Sequence, residues 1–118
     1  MLNPDGVKLG NTRSDSNGVN LNSIFGFSNK KDHPSVFGLE KLIGFLHKDS
    51  KINFYFDLHS HFTKRGLFVF GNPLTKENYK NVLKFPFLYS KKEKEFNIEN
   101  SGFGNIKENE STSRKLFF

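Results

Sequence analysis

At 118 residues, with 35% hydrophobic content and 15 Phe, the chain has material for one small core. Large α/β enzymes need roughly twice that length, so one domain or a piece of one is the bound. The absence of cysteine excludes a disulfide framework and any Cys-based zinc site, which leaves His, Asp and Glu as possible metal ligands. Eighteen Lys and Arg against twelve Asp and Glu give a net charge of +6, a field that favours acidic partners without choosing among nucleic acid, lipid headgroups and acidic peptides.

The opening stretch, MLNPDGVKLGNTRSDSNGVNLNS, is dense in Asn, Asp, Ser and Gly and reads as a loop, because these residues close turns or tolerate left-handed backbone. A helix is expected over Asp32 to His47. Asp32 or Ser28 is available to cap it, Pro34 suits its first turn, and Val36, Leu39, Ile43 and Leu46 form a core-facing stripe at helical spacing. INFYFDLH, apolar or aromatic at Ile52, Phe54, Tyr55, Phe56 and Leu58, has the near-continuous apolar run of a strand buried on both faces. Such a strand needs a covered sheet, so the expected fold class is α/β. GLFVFGN reads as a second short strand between glycines, and LTKENYKNVLKFPFLYS as a helix starting at Thr75 and broken at Pro86. From about Lys91 to Arg114 the chain is rich in Lys, Glu, Asn and Ser, and a flexible segment is expected there.

No apolar stretch approaches the roughly 18 residues of a membrane span. Nor does a basic start lead into an apolar segment as in a signal peptide, so the cytosol, or else the nucleus, is the expected compartment and no membrane partner is expected. Charge alone supports nucleic-acid binding, without a stacking or groove-reading motif, so no nucleic-acid partner is expected.

Asp57, His59 and His61 fall at the carboxyl end of the expected strand, where open α/β sheets place ligands and catalytic groups. An extended chain puts His59 and His61 on one side, within reach of one metal. His-x-His is also what a pair of ordinary hydrogen-bonded histidines looks like, and the residues alone leave both readings open. His33 precedes a proline at a helix start, and His47 sits among cations at a helix end, where interaction with the helix dipole accounts for it. Lys64 and Arg65 follow the histidines directly; they either attract an acidic substrate or are solvated loop cations.

The succession of short motifs is more specific than any one of them. NPDG at Asn3 to Gly6, GNTR ending at Arg13, GVNLN at Gly18 to Asn22, HP at His33 and Pro34, DLHSH, and FGN at Phe70 to Asn72 come in an order that resembles the M14 zinc carboxypeptidases. More narrowly, the chain resembles their cytosolic carboxypeptidase branch, and SDSNGVNLN with DLHSHFTKRGLFVFGN looks most like the members that remove branch-point glutamate. The resemblance covers Met1 to about Asn72.

That resemblance implies part of a mixed sheet flanked by helices. Residues 1–90 would be the central part of a carboxypeptidase catalytic domain, incomplete at both ends, and 91–118 a polar segment. It implies one Zn2+ per complete domain and glutamate-rich protein tails, tubulin among them, as partners. His59 would be a zinc ligand and His61 would line the pocket. Arg13 would polarise the scissile carbonyl and stabilise the oxyanion, and Asn22 would grip the substrate's terminal carboxylate. A neutral imidazole, a permanent guanidinium and an amide donor suit those roles.

Where the family pattern continues with Arg after Asn22, this chain has Ser23, which offers one hydrogen bond and no charge. The family's His and Glu ligands, three residues apart, and its general-base Glu have no counterpart in the chain. Both ends therefore read as cut, and the polypeptide as written is expected to be inactive. The reading is a fragment of a zinc carboxypeptidase acting on acidic tails, with a noncatalytic module that binds such tails as the alternative.

Overall fold

The computed structural model describes residues 1–49, 52–61, 63–104 and 111–117. They fall into two compact units, one built from Met1–Asp57 with Asn109–Phe118 and one from Leu58–Glu108.

In the first unit, α1 (Pro4–Leu9) forms within the stretch expected to be a loop. Its start is specified locally. Pro4 fits the first helical position, where its missing N–H costs nothing, and the Asn3 carboxamide oxygen accepts the Gly6 N–H at 3.0 Å. Gly10, at φ 77°, closes it in the left-handed conformation open to glycine. A 3₁₀ turn over Leu21–Ser23 then drops Leu21 into the core.

Helix α2 (Pro34–Lys48) begins behind His33, not behind an Asp32 or Ser28 cap; no side chain caps it. Val36 and Ile43 of the expected stripe are buried, and Leu39 is packed at the core's edge. That core joins Val36 to Leu21 and Phe25, with Leu2, Ile24 and Phe117 against it. Phe117 belongs to α4 (Ser113–Phe117) and meets Phe25 edge to face at 6.0 Å and Tyr55 at 5.5 Å. Glu40 on α2 accepts from the Gly26 N–H and the Ser28 hydroxyl, both at 2.7 Å, and so ties the preceding turn to the helix.

In the second unit, α3 (Tyr79–Lys92) is prepared by a reciprocal pair: Asn78 Oδ1 accepts the Thr75 N–H at 2.8 Å while Thr75 Oγ1 accepts the Asn78 N–H at 3.2 Å. The helix does not stop at Pro86. An interior proline costs about 3 kcal/mol, but here Pro86 is buried, Phe85 stacks on Tyr89, and Tyr89 meets the buried Phe96 edge to face at 5.1 Å. Those contacts carry the helix to Lys92.

The α/β expectation is corrected by the structure. Among the described residues there is no strand and no sheet, only two isolated parallel bridges, Leu67 with Phe96 and Phe70 with Gly102. Residues 52–58 are the decisive case: Phe54 is 72% exposed, Phe56 52% and Leu58 92%. A strand is stabilised by a neighbour's N–H and C=O groups and by side chains covering its faces. Among the described residues no strand runs beside this segment to complete a ladder. Phe54 and Phe56 stack on each other at 6.1 Å, and Tyr55 meets Phe117. GLFVFGN likewise makes bridges and not a strand. The Leu67 carbonyl accepts from Asn97, that of Val69 accepts from Gly102, and the Gly71 N–H donates to the Gly102 carbonyl.

Candidate functional site

The sequence-selected residues divide between the two units. Arg13, Asn22 and Ser23 belong to the first; His59, His61, Lys64 and Arg65 belong to the second.

Arg13, Asn22 and Ser23 are carried by one loop, from Asn11 to Ser23, shaped by side chains bonding to backbone. The Asn3 amide nitrogen donates to the Ser14 carbonyl at 3.0 Å, next to Arg13. Asp15, 8% exposed, accepts through Oδ1 from the N–H groups of Asn17 at 2.9 Å and Val19 at 2.8 Å. Asn20 caps the 3₁₀ turn by accepting from the Asn22 N–H at 3.2 Å, and its carbonyl accepts the Ser23 hydroxyl at 2.8 Å. The Arg13 guanidinium is exposed and engaged by no ion pair among the described residues, while Asn22 is half-buried. Asp15 and Asn20 were not singled out in the sequence. DSNG does carry the signal of an Asx turn, in which an aspartate bonds the backbone two residues on.

In the second unit His59 is exposed, and its Nδ1 lies 3.0 Å from the Ser60 carbonyl. A carbonyl only accepts, so Nδ1 is the donor in this contact. His61 is arranged the other way: its Nδ1 accepts from the Thr63 N–H at 3.3 Å. Its ring packs at 5.7 Å from Phe68 and 5.4 Å from Phe70, which face each other edge-on. The Lys64 ammonium lies over the same two rings, 5.4 and 4.9 Å from their centroids, and donates to the Asn100 carbonyl. Its charge is largely satisfied within the unit, whereas Arg65 is exposed.

A catalytic zinc centre takes three protein ligands and a water. Among the described residues no group of three His, Asp or Glu side chains comes together. The residues present therefore do not make such a centre. Asp57, next to the histidines in sequence, accepts from the Ser113 hydroxyl at 3.1 Å. The 118-residue chain is accordingly expected to take up zinc only weakly in calorimetry, and less still after His59→Ala; tight one-to-one uptake would contradict this.

Beside Asp57, partial burial pushes the Tyr55 phenol up from its ordinary 10.0; a hydrogen bond with Ser113 works against the rise and the Asp57 charge adds to it. The folded chain thus holds this proton to higher pH than the unfolded chain. The stability it contributes is intact below the unfolded value and is lost as the pH climbs through the folded one. Urea denaturation at about pH 9 and about pH 11 should show a steeper alkaline loss for the native chain than for Tyr55→Phe, and parallel losses would contradict the assignment.

No protein-family model matches the chain. Against curated proteins it is 32% identical to cytosolic carboxypeptidase 6 of Homo sapiens, a match covering 98% of this chain and 24% of that protein. It is 33% identical to cytosolic carboxypeptidase 3 of Bos taurus, covering 100% of this chain and 12% of the relative. A Plasmodium falciparum relative that carries a zinc carboxypeptidase designation is 38% identical over 76% of this chain and 6% of its own length. The chain thus spans about a quarter or less of the length of the curated relatives it matches.

Motif order and these matches together define a metallocarboxypeptidase sequence. The chain belongs to the M14 cytosolic carboxypeptidase family. The matches support the family as a whole and single out no one member of it, so the narrower resemblance to the members that remove branch-point glutamate is not established.

Proposed function

We propose that the protein carrying this chain is a zinc-dependent carboxypeptidase that removes glutamate from the carboxyl ends or branch points of acidic protein tails such as those of tubulin, working in the cytosol. One observation carries the reading most directly: a single bonded loop bears both an exposed guanidinium at Arg13, in no ion pair among the described residues, and a half-buried carboxamide at Asn22. A carboxypeptidase needs that pair, one group for the developing oxyanion and one for the terminal carboxylate.

Arg13 is the catalytic residue of this reading, giving permanent charge to the carbonyl oxygen as it becomes negative. Asn22 donates to the terminal carboxylate; His61, in the second unit, packs against Phe68 and Phe70, and its pocket-lining role comes from the family resemblance alone. Arg65 is the exposed cation left to draw in glutamate-rich chain, since Lys64 is committed to its own unit. Zinc dependence comes from the family, and His59 is the residue of this chain assigned to it. No catalytic step is drawn through metal from a single imidazole.

Ser23 favours a second reading, a noncatalytic module that binds acidic tails. Its hydroxyl proton is given to the Asn20 carbonyl, so it adds neither charge nor a free donor where the family pattern has Arg. Ser23→Arg in the full-length protein should lower KM for a glutamate-terminated peptide about tenfold, a charge-assisted contact contributing about 1.5–3 kcal/mol, with kcat little changed. An unchanged KM would show that position 23 does not face the carboxylate. Glutamate release from such a peptide separates the enzyme from the binder.

A further inference from the structure

The loop between Arg13 and Asn22 is organised around one acid. Besides its two carboxylate bonds, Asp15 donates its own N–H to the Val19 carbonyl at 2.9 Å. Its carbonyl accepts from the Asn11 side chain at 2.9 Å and from the Gly18 N–H at 3.3 Å. One residue therefore ties the strand of loop that precedes it to the strand that returns at Gly18 and Val19. Asn20, next along, sets Asn22 and Ser23.

Burying a carboxylate costs free energy unless bonds replace its water. Here no ion pair among the described residues does so; backbone N–H groups do. What the acid secures is not core. Ser16, Asn17 and Gly18 are exposed, and the buried cluster begins only at Leu21. The groups whose placement depends on this closure are Arg13, two positions before it, and Asn22, three positions after Val19.

We propose that Asp15 is a positioning residue for substrate: its buried carboxylate fixes the spacing of the Arg13 guanidinium and the Asn22 carboxamide, and through it the affinity for a peptide with a free terminal carboxylate. The inference rests on the roles proposed above for Arg13 and Asn22. Asparagine at this position keeps an oxygen able to accept both N–H groups; alanine keeps none.

The test compares Asp15→Ala and Asp15→Asn in the full-length protein, reading KM and kcat on a peptide ending in glutamate, the thermal midpoint, and amide exchange at Asn17 and Val19. Asp15→Ala should raise KM about tenfold with a smaller fall in kcat and speed exchange at both amides, and Asp15→Asn should recover most of the affinity. A lowered midpoint with KM unchanged would overturn the inference and leave Asp15 a folding residue only. If Asp15→Ala does not fold, Asn11→Ala decides: it removes only the bond to the Asp15 carbonyl. A KM raised about threefold supports the inference and an unchanged KM overturns it. A native protein that neither cleaves nor binds the peptide sinks the proposed function and this inference together. Native cleavage with unaltered KM in the variants sinks the inference alone.

Discussion

Gly6→Ala is expected to destabilise the first unit by about 2–4 kcal/mol, the sum of overpacking and the loss of two hydrogen bonds. A β-carbon there would lie 2.4 Å from Asn3 Nδ2, 2.4 Å from the Ser14 carbonyl and 2.5 Å from Asn3 Oδ1. One of these neighbours is backbone, and the other is the side chain that both caps α1 and holds Ser14, so relief of the clash breaks the bonds that start the loop. Gly38 on α2 is the internal comparison. Nothing lies within 4 Å of the β-carbon it would gain, so Gly38→Ala should stabilise the helix by up to about 1 kcal/mol. Urea denaturation of both variants checks the contrast, and a Gly6→Ala chain within about 0.5 kcal/mol of native would contradict the packing described.

Arg13→Ala in the full-length protein should lower kcat on a glutamate-terminated peptide about 10²–10³-fold while moving KM much less, because a contact to the carbonyl oxygen strengthens as that oxygen becomes an oxyanion. Arg13→Lys should recover little, since an ammonium lacks the planar fork of donors. Steady-state kinetics make the distinction. A change confined to KM would assign Arg13 to ground-state binding and remove its proposed role.

Helix α2 was legible in the sequence because its signals are local. Pro34 fits the first turn, and the spacing of Val36, Leu39 and Ile43 is that of one buried face. α1 hides in a stretch whose composition suggests only turns, although Asn3-Pro4 followed by Gly10 is itself a start and a stop. The failure at 52–58 has another origin. An apolar run states that a segment would be buried if a sheet were beside it, and nothing local states whether the sheet is there. Pro86 misled in the opposite direction, since the contacts of Tyr89 with Phe96 that sustain α3 join residues the local pattern cannot connect. Motif order named Arg13, Asn22, Ser23, His59 and His61. It said nothing of the side chains that fix them, because Asp15, Asn20 and the rings of Phe68 and Phe70 act through loop closure and packing that only coordinates show.

The most direct test of the whole account is release of free glutamate from a peptide ending in a run of glutamates, incubated with the full-length protein carrying this chain, with and without a zinc chelator. The account predicts stepwise release from the carboxyl end, abolished by the chelator, restored by added zinc, and reduced by about two orders of magnitude or more in Arg13→Ala. No release by the native protein, with the same peptide bound equally well by native and Arg13→Ala forms, would contradict the carboxypeptidase assignment and leave a module that only binds acidic tails.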